Sequence, residues 1–115
     1  MQFAMNQELS TLLDHAEEAF QIPCRNETGY PNFLATNSCG DNLLHAAVGQ
    51  KMPESIRFLV KQGVDINARG DLHETPLLLA CSLGHGEMVK LLLELGADPN
   101  MVDYQGQLPK IDILD

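Results

Sequence analysis

Four histidines and three cysteines are the side chains in this chain best suited to catalysis or metal binding, and their surroundings support neither. His15 and His73 have no cysteine or carboxylate at the spacing that builds a zinc site. Asp14 beside His15 suggests a base with its orienting carboxylate, yet adjacent residues of a helix do not face each other. Cys24, Cys39 and Cys81 are odd in number and not closely paired, the pattern of reduced thiols. The chain has no glycine-rich phosphate loop, nucleophile elbow or deaminase-type His/Cys set. The expectation is a protein without catalysis, cofactor or metal.

The elements that position these side chains are repeated. Gly63-Val64-Asp65-Ile66-Asn67 returns 33 residues later as Gly96-Ala97-Asp98-Pro99-Asn100. Ala47 falls on Ala80, Ile56 on Val89, Leu59 on Leu92 and, two periods on, Gly40 on Gly106. Thr75 followed by Pro76 puts an oxygen acceptor at an N-cap and a preset φ at the first helical position, so a helix starts there. Leu77, Leu78, Ala80 and Cys81 give that helix an apolar face, and Gly84 ends it. A second helix begins near Glu87, and Met88, Val89, Leu91, Leu92, Leu93 and Leu95 make it apolar around most of its circumference. Such a helix has to be covered on more than one side. One period earlier Asn42 is the candidate cap and Pro53 the first residue of the second helix. A two-helix unit of this size cannot bury its own apolar surface, so units must stack.

Thr75-Pro76-Leu77-Leu78-Leu79-Ala80 resembles the T-P-L-H-x-A motif of the ankyrin-repeat family, and the stretch from Gly84-His85 to Asn100 continues that repeat nearly to completion. Asn42-Leu43-Leu44-His45-Ala46-Ala47 resembles a second copy that lacks Thr-Pro but keeps the histidine, while Asp103 to Pro109 opens a truncated third. The resemblance covers about residues 37–115 and departs from the family where Leu78 replaces the motif histidine and where Gly49-Gln50-Lys51-Met52-Pro53 loses the usual Gly-His. It implies an all-α ankyrin-repeat solenoid of helix-turn-helix units with short hairpin loops. It also implies that His45 ties neighbouring loops by hydrogen bonds and that His85 packs at the inter-helix turn.

The single domain then divides into a cap with an irregular loop (1–36), repeats at 37–69 and 70–102, and a short terminal unit (103–115). Leu9, Leu12, Leu13, Ala16 and Phe20 carry the apolar face of an amino-terminal capping helix of about four turns. From Gln21 to Thr36, Pro23, Gly29 and Pro31 forbid a long regular element. This stretch reads either as a repeat remnant packing Tyr30 and Phe33 onto the first helix or as a functional loop. Lys110-Ile111-Asp112-Ile113 reads as a shortened cap or the start of a longer array; the opening Met1 favours a nearly complete protein.

In ankyrin stacks, hairpin tips and the exposed ends of the first helices meet partners. Carried onto this chain, the partner-binding positions are Asp41, Gln50, Arg69, Asp71, Leu72, Glu74, Ser82, Leu83, Tyr104, Gln105 and Gln107, with Leu83 and Tyr104 as apolar anchors. Sixteen acidic against seven basic residues give a net charge of −9, which repels a phosphate backbone and attracts a basic protein. The expected function is protein binding, with a dedicated inhibitor of a basic toxin or nuclease as the alternative; no nucleic acid, membrane or small-molecule substrate is expected. No run approaches the roughly 20 apolar residues that span a bilayer, the amino end lacks a secretory pattern, and the expected location is the cytoplasm.

Overall fold

The computed structural model describes residues 7–111, and within them five α-helices form and no strand does. The amino-terminal helix α1 spans Gln7–Ala19. α2 (Leu43–Gly49) and α3 (Pro53–Lys61) make the first layer, α4 (Pro76–Leu83) and α5 (Gly86–Glu94) the second. The described part of the third unit is a turn running to Ile111. Lys110 and Ile111 fall on Leu77 and Leu78 of α4, and Asp112 and Ile113 lie outside the described residues. The body is elongated, 42 × 26 × 20 Å.

Local chemistry starts each helix where the side chains indicate. Asn42 accepts the amides of Leu44 and His45, and Nδ1 of His45 accepts the Asn42 amide in return, closing a capping box. Thr75 caps α4 through the Leu78 amide, with Pro76 following it. α3 and α5 each begin without a cap from their own N-cap residue. For α3 the missing cap is supplied from α1: Glu8 accepts both the amide (3.0 Å) and the hydroxyl (2.7 Å) of Ser55, placing a carboxylate at the positive end of the helix.

The repeat is kept in three dimensions. Gly63 and Gly96 sit at φ 90° and 103°, each donating to the carbonyl three residues back, Val60 and Leu93. The next residues, Val64 and Ala97, bond to Leu59 and Leu92, and Asp65 and Asp98 then accept the amides of Asn67 and Asn100. The two glycines therefore occupy matching places in successive layers.

α2 lies between α1, α3 and α4, and each residue from Leu43 to Val48 is buried. The cap helix runs antiparallel to α2 and alongside α3: its start meets Ser55 at the head of α3, and the Phe20 carbonyl at its end accepts Asn37 just before α2. It thus has the direction of a second helix of a layer. Leu9, Leu12, Leu13 and Ala16 are its buried face. In the 21–36 segment the two aromatic side chains take different places. Phe33 packs edge-to-face on Phe58 of α3, at 5.2 Å between ring centroids, and Tyr30 is exposed on a tight turn held by Asn26. Arg25 of this segment lies against the acidic side of α1, pairing with Glu17 and with Asp14 at 3.0 Å.

Candidate partner-binding face

Three hairpin tips line one edge of the stack, at residues 37–41, 70–74 and 103–107, and they are built in two ways. In the first and third, a side chain stabilises its own turn. Asn37 Oδ1 accepts the amides of Cys39 and Asp41, and Asp103 Oδ1 those of Gln105 and Gln107. Gly40 and Gly106 take the left-handed positions, at φ 93° and 78°.

The middle tip has Gly70 where the others have Asn37 and Asp103, and His73 where they have glycine. Both Leu72 and His73 are left-handed, at φ 58° and 59°, a conformation that is costly for a side chain as bulky as leucine. Its support comes from the first repeat. Asp41 Oδ1 accepts the Asp71 amide at 3.0 Å, His45 Nε2–H donates to the Glu74 carbonyl at 2.8 Å, and Arg69 donates to the His73 carbonyl at 2.6 Å. Gly70 is required by this arrangement, because a Cβ there would collide with the Asp41 carboxylate and come within 3.0 Å of His45 Nε2.

These bonds engage several of the expected partner-binding residues. Asp41 is buried and spent on the Asp71 amide. Arg69 is half-buried, its guanidinium shared between the carbonyls of His73 and Val102, each at 2.6 Å. Gln50 is exposed but stands at the far end of α2, against His15 of α1. Glu74 is half-buried, its carbonyl occupied by His45. Asp71, Leu72, Ser82, Leu83, Tyr104, Gln105 and Gln107 are exposed. Leu108, which sequence reasoning passed over, is exposed as well.

The structure gathers Glu74, Ser82 and Gln107 around a cleft of about 240 Å³ between the second layer and the third tip. Leu78, Cys81 and Leu108 supply its apolar lining and Asp103 a second carboxylate. The signal for it was Leu78, which stands where His45 stands one layer earlier and cannot donate to the Gln107 carbonyl. A wider depression of about 580 Å³ lies between the end of α1 and the first tip, beside Asp41 and Asp71.

The titratable groups follow from burial. His45 is held below its ordinary range by burial, against which the Glu74 carbonyl and the Asp41 charge act in the opposite sense. Burial raises the Glu74 carboxyl, and Asp103, Asp71 and Asp41 raise it further. Burial pushes the Cys24 thiol up to about 11, with Glu17 adding to the rise. A thiol so held is poorly nucleophilic at neutral pH. Among the described residues no group of three His, Cys, Asp or Glu side chains is placed to hold a metal ion, and no helix is long and apolar enough to cross a membrane.

Comparison with known proteins gives the same architecture. Residues 1–103 match the family described as Ankyrin repeats (3 copies), a span that takes in the cap and loop which the motif resemblance left out. The chain is 40% identical over 89 residues to mouse Protein phosphatase 1 regulatory subunit 27, covering 77% of this chain and 53% of that protein. It is 33% identical over 88 residues to human Ankyrin repeat domain-containing protein 63, covering 76% of this chain and 21% of that protein. With mouse Rabankyrin-5 it shares 36% over 85 residues, 64% of this chain and 7% of that protein. The chain thus spans about half the length of the first of these relatives and far less of the other two. With its layers in register and nearly its whole length matched, the chain belongs to the ankyrin-repeat family, whose repeats are protein-interaction modules.

Proposed function

We propose that this chain is a non-catalytic binding module that engages a basic surface of another protein through its middle and third hairpin tips and the exposed end of α4. The observation that carries this reading is the division of labour along the tips. Asp41, His45 and Arg69 are consumed by the framework, whereas Leu72, Leu83, Tyr104 and Leu108 are about half or more exposed next to acidic Asp71 and Glu74. Apolar side chains amid uncompensated acids suit a partner that offers apolar contacts and positive charge. The free cysteines Cys24, Cys39 and Cys81 fit a reducing compartment, and we place the protein in the cytoplasm.

The similarity to Protein phosphatase 1 regulatory subunit 27 makes protein phosphatase 1 the first candidate partner to test. Inhibition of a basic toxin or nuclease rests on the net charge alone, and the broader reading is preferred. The test is affinity capture from the native host and from purified protein phosphatase 1, using the wild-type chain and a Leu72→Ser/Tyr104→Ala variant. A partner retained by the wild type and lost from the variant, with an unchanged thermal melt, supports the reading. Equal retention by both would sink it.

A further inference from the structure

We propose that the cleft between the second layer and the third tip receives one lysine or arginine side chain of a partner protein. This rests on the binding-module reading and names the chemistry of one of its contacts. The first seam, between α2 and α4, is closed at the tips by His45, which reaches the Glu74 carbonyl, and by Asp41, which reaches the Asp71 amide. At the second seam the corresponding residues are Leu78 and Glu74. Leucine has no polar atom for the Gln107 carbonyl, and among the described residues the Glu74 carboxylate makes no bond to the Tyr104 amide. Among the described residues, the two ties of the first seam have no counterpart at the second.

The gap has the shape and chemistry of a single cationic side chain. Its volume, about 240 Å³, lies below the roughly 300–1,000 Å³ of pockets that hold whole small molecules. Leu78, Cys81 and Leu108 offer an apolar lining to a methylene stem, and Glu74 and Asp103 offer carboxylates to its head. Asp103 already accepts two amides of its own tip through Oδ1, which fixes it in place. Lys110 also lines the cleft, yet among the described residues no ion pair joins it to Glu74 or Asp103. Asp103, Asp71 and Asp41 each favour the protonated form of Glu74. An incoming ammonium or guanidinium relieves that repulsion.

The test uses side-chain mimics, so it does not depend on knowing the partner. The ¹⁵N-labelled chain is titrated with n-butylammonium, n-butylguanidinium and, as the uncharged control, n-butanol, following amide shifts. The expected result is saturable movement of the amides of Glu74, Leu78, Ser82, Asp103, Gln107 and Leu108, with the alcohol about fivefold weaker. Glu74→Gln should bring the cations close to the alcohol. Leu78→His, which can donate to the Gln107 carbonyl, should close the cleft and weaken all three. The unperturbed remainder of each variant's spectrum verifies folding. Equal binding of butanol and the cations, shifts spread without saturation over the acidic surface, or unaltered cation binding in both variants would overturn the proposal. A partner captured as above that still binds the two variants would leave the module reading intact and remove only the cleft.

Discussion

The middle hairpin tip and its two neighbours solve the same problem with different materials. At 37–41 and 103–107 an Asn or Asp at the first position accepts two amides of its own turn and a glycine absorbs the left-handed bend. At 70–74 the first position is Gly70, two side-chain-bearing residues take left-handed backbone, and the bonds arrive from Asp41, His45 and Arg69 of the first repeat. A self-supported tip holds its bend with a side chain of its own. A tip held from outside couples its conformation to the seam, and it presents Leu72 from a backbone that leucine does not choose freely. The middle tip is therefore where stacking and partner contact meet.

The harshest way to break this comparison is to remove the layer that bears the middle tip. Leu92 is fully buried in α5, and Leu92→Asp places an unpaired charge there at a cost above about 4 kcal/mol, comparable with the whole stability of a small domain. The expected outcome is loss of the helical melt by circular dichroism. A persistent cooperative transition would mean that α5 is not buried as described.

Next comes the tie itself. His45→Leu copies the second seam onto the first, leaving the Asn42 amide without its partner and the Glu74 carbonyl with the Gly70 amide alone. The expected loss is about 1–2 kcal/mol in urea unfolding, since one buried amide loses its bond and a half-buried carbonyl loses one of two. Amide exchange should quicken first at residues 70–74, while the self-supported tip at 37–41 keeps its protection. Uniform loss at both tips would show that the external ties do not distinguish them. His73→Gly works in the other direction. It gives the middle tip the residue its neighbours use and should stabilise the chain by about 1 kcal/mol. An unchanged or lower midpoint would mean that the left-handed bend stores no strain.

The repeat was legible because each copy advertises itself locally. Gly63 and Gly96, the caps Asn42 and Thr75, and the prolines at the helix starts act within a few residues of where they stand, so side-chain type and spacing suffice. The fate of Asp41 and Arg69 was not legible in the same way, because each answers to a backbone group in the neighbouring hairpin. A clue existed in Gly70, which lacks a side chain where its equivalents have Asn37 and Asp103, but its meaning needs the Asp41 carboxylate alongside. The contact of Glu8 with Ser55 joins residues 47 apart, and nothing in either neighbourhood announces it. The packing of Phe33 on Phe58 is equally non-local. Leu78 was visible as a departure from the motif, and its consequence, an open seam, appears only when the third tip is in place.

The smallest effect separates the two seams by pH. His45 has a folded pKa below its ordinary 6.5, because burial disfavours the cation more than the Glu74 carbonyl and Asp41 favour it. The unfolded chain therefore takes up the proton first, and this contribution to stability is present above pH 6.5 and is lost as the pH falls from there toward the folded value. Glu74 has the opposite sign. Its folded pKa is raised above 4.5 by burial and then by Asp103, Asp71 and Asp41, so its ionised form burdens the fold at neutral pH and the burden lifts as the pH falls through that raised value. Glu74→Gln should accordingly stabilise the chain at pH 7 by about 0.5 kcal/mol, and the gain should shrink toward nothing near pH 4.5, where unfolded Glu74 begins to protonate. His45→Leu should instead flatten the decline below pH 6.5 without touching the Glu74 response. Urea midpoints for the wild type and both variants between pH 7 and pH 4.5 check the two signs independently. A Glu74→Gln gain that grew on acidification would show that the second seam is not burdened by its own carboxylates.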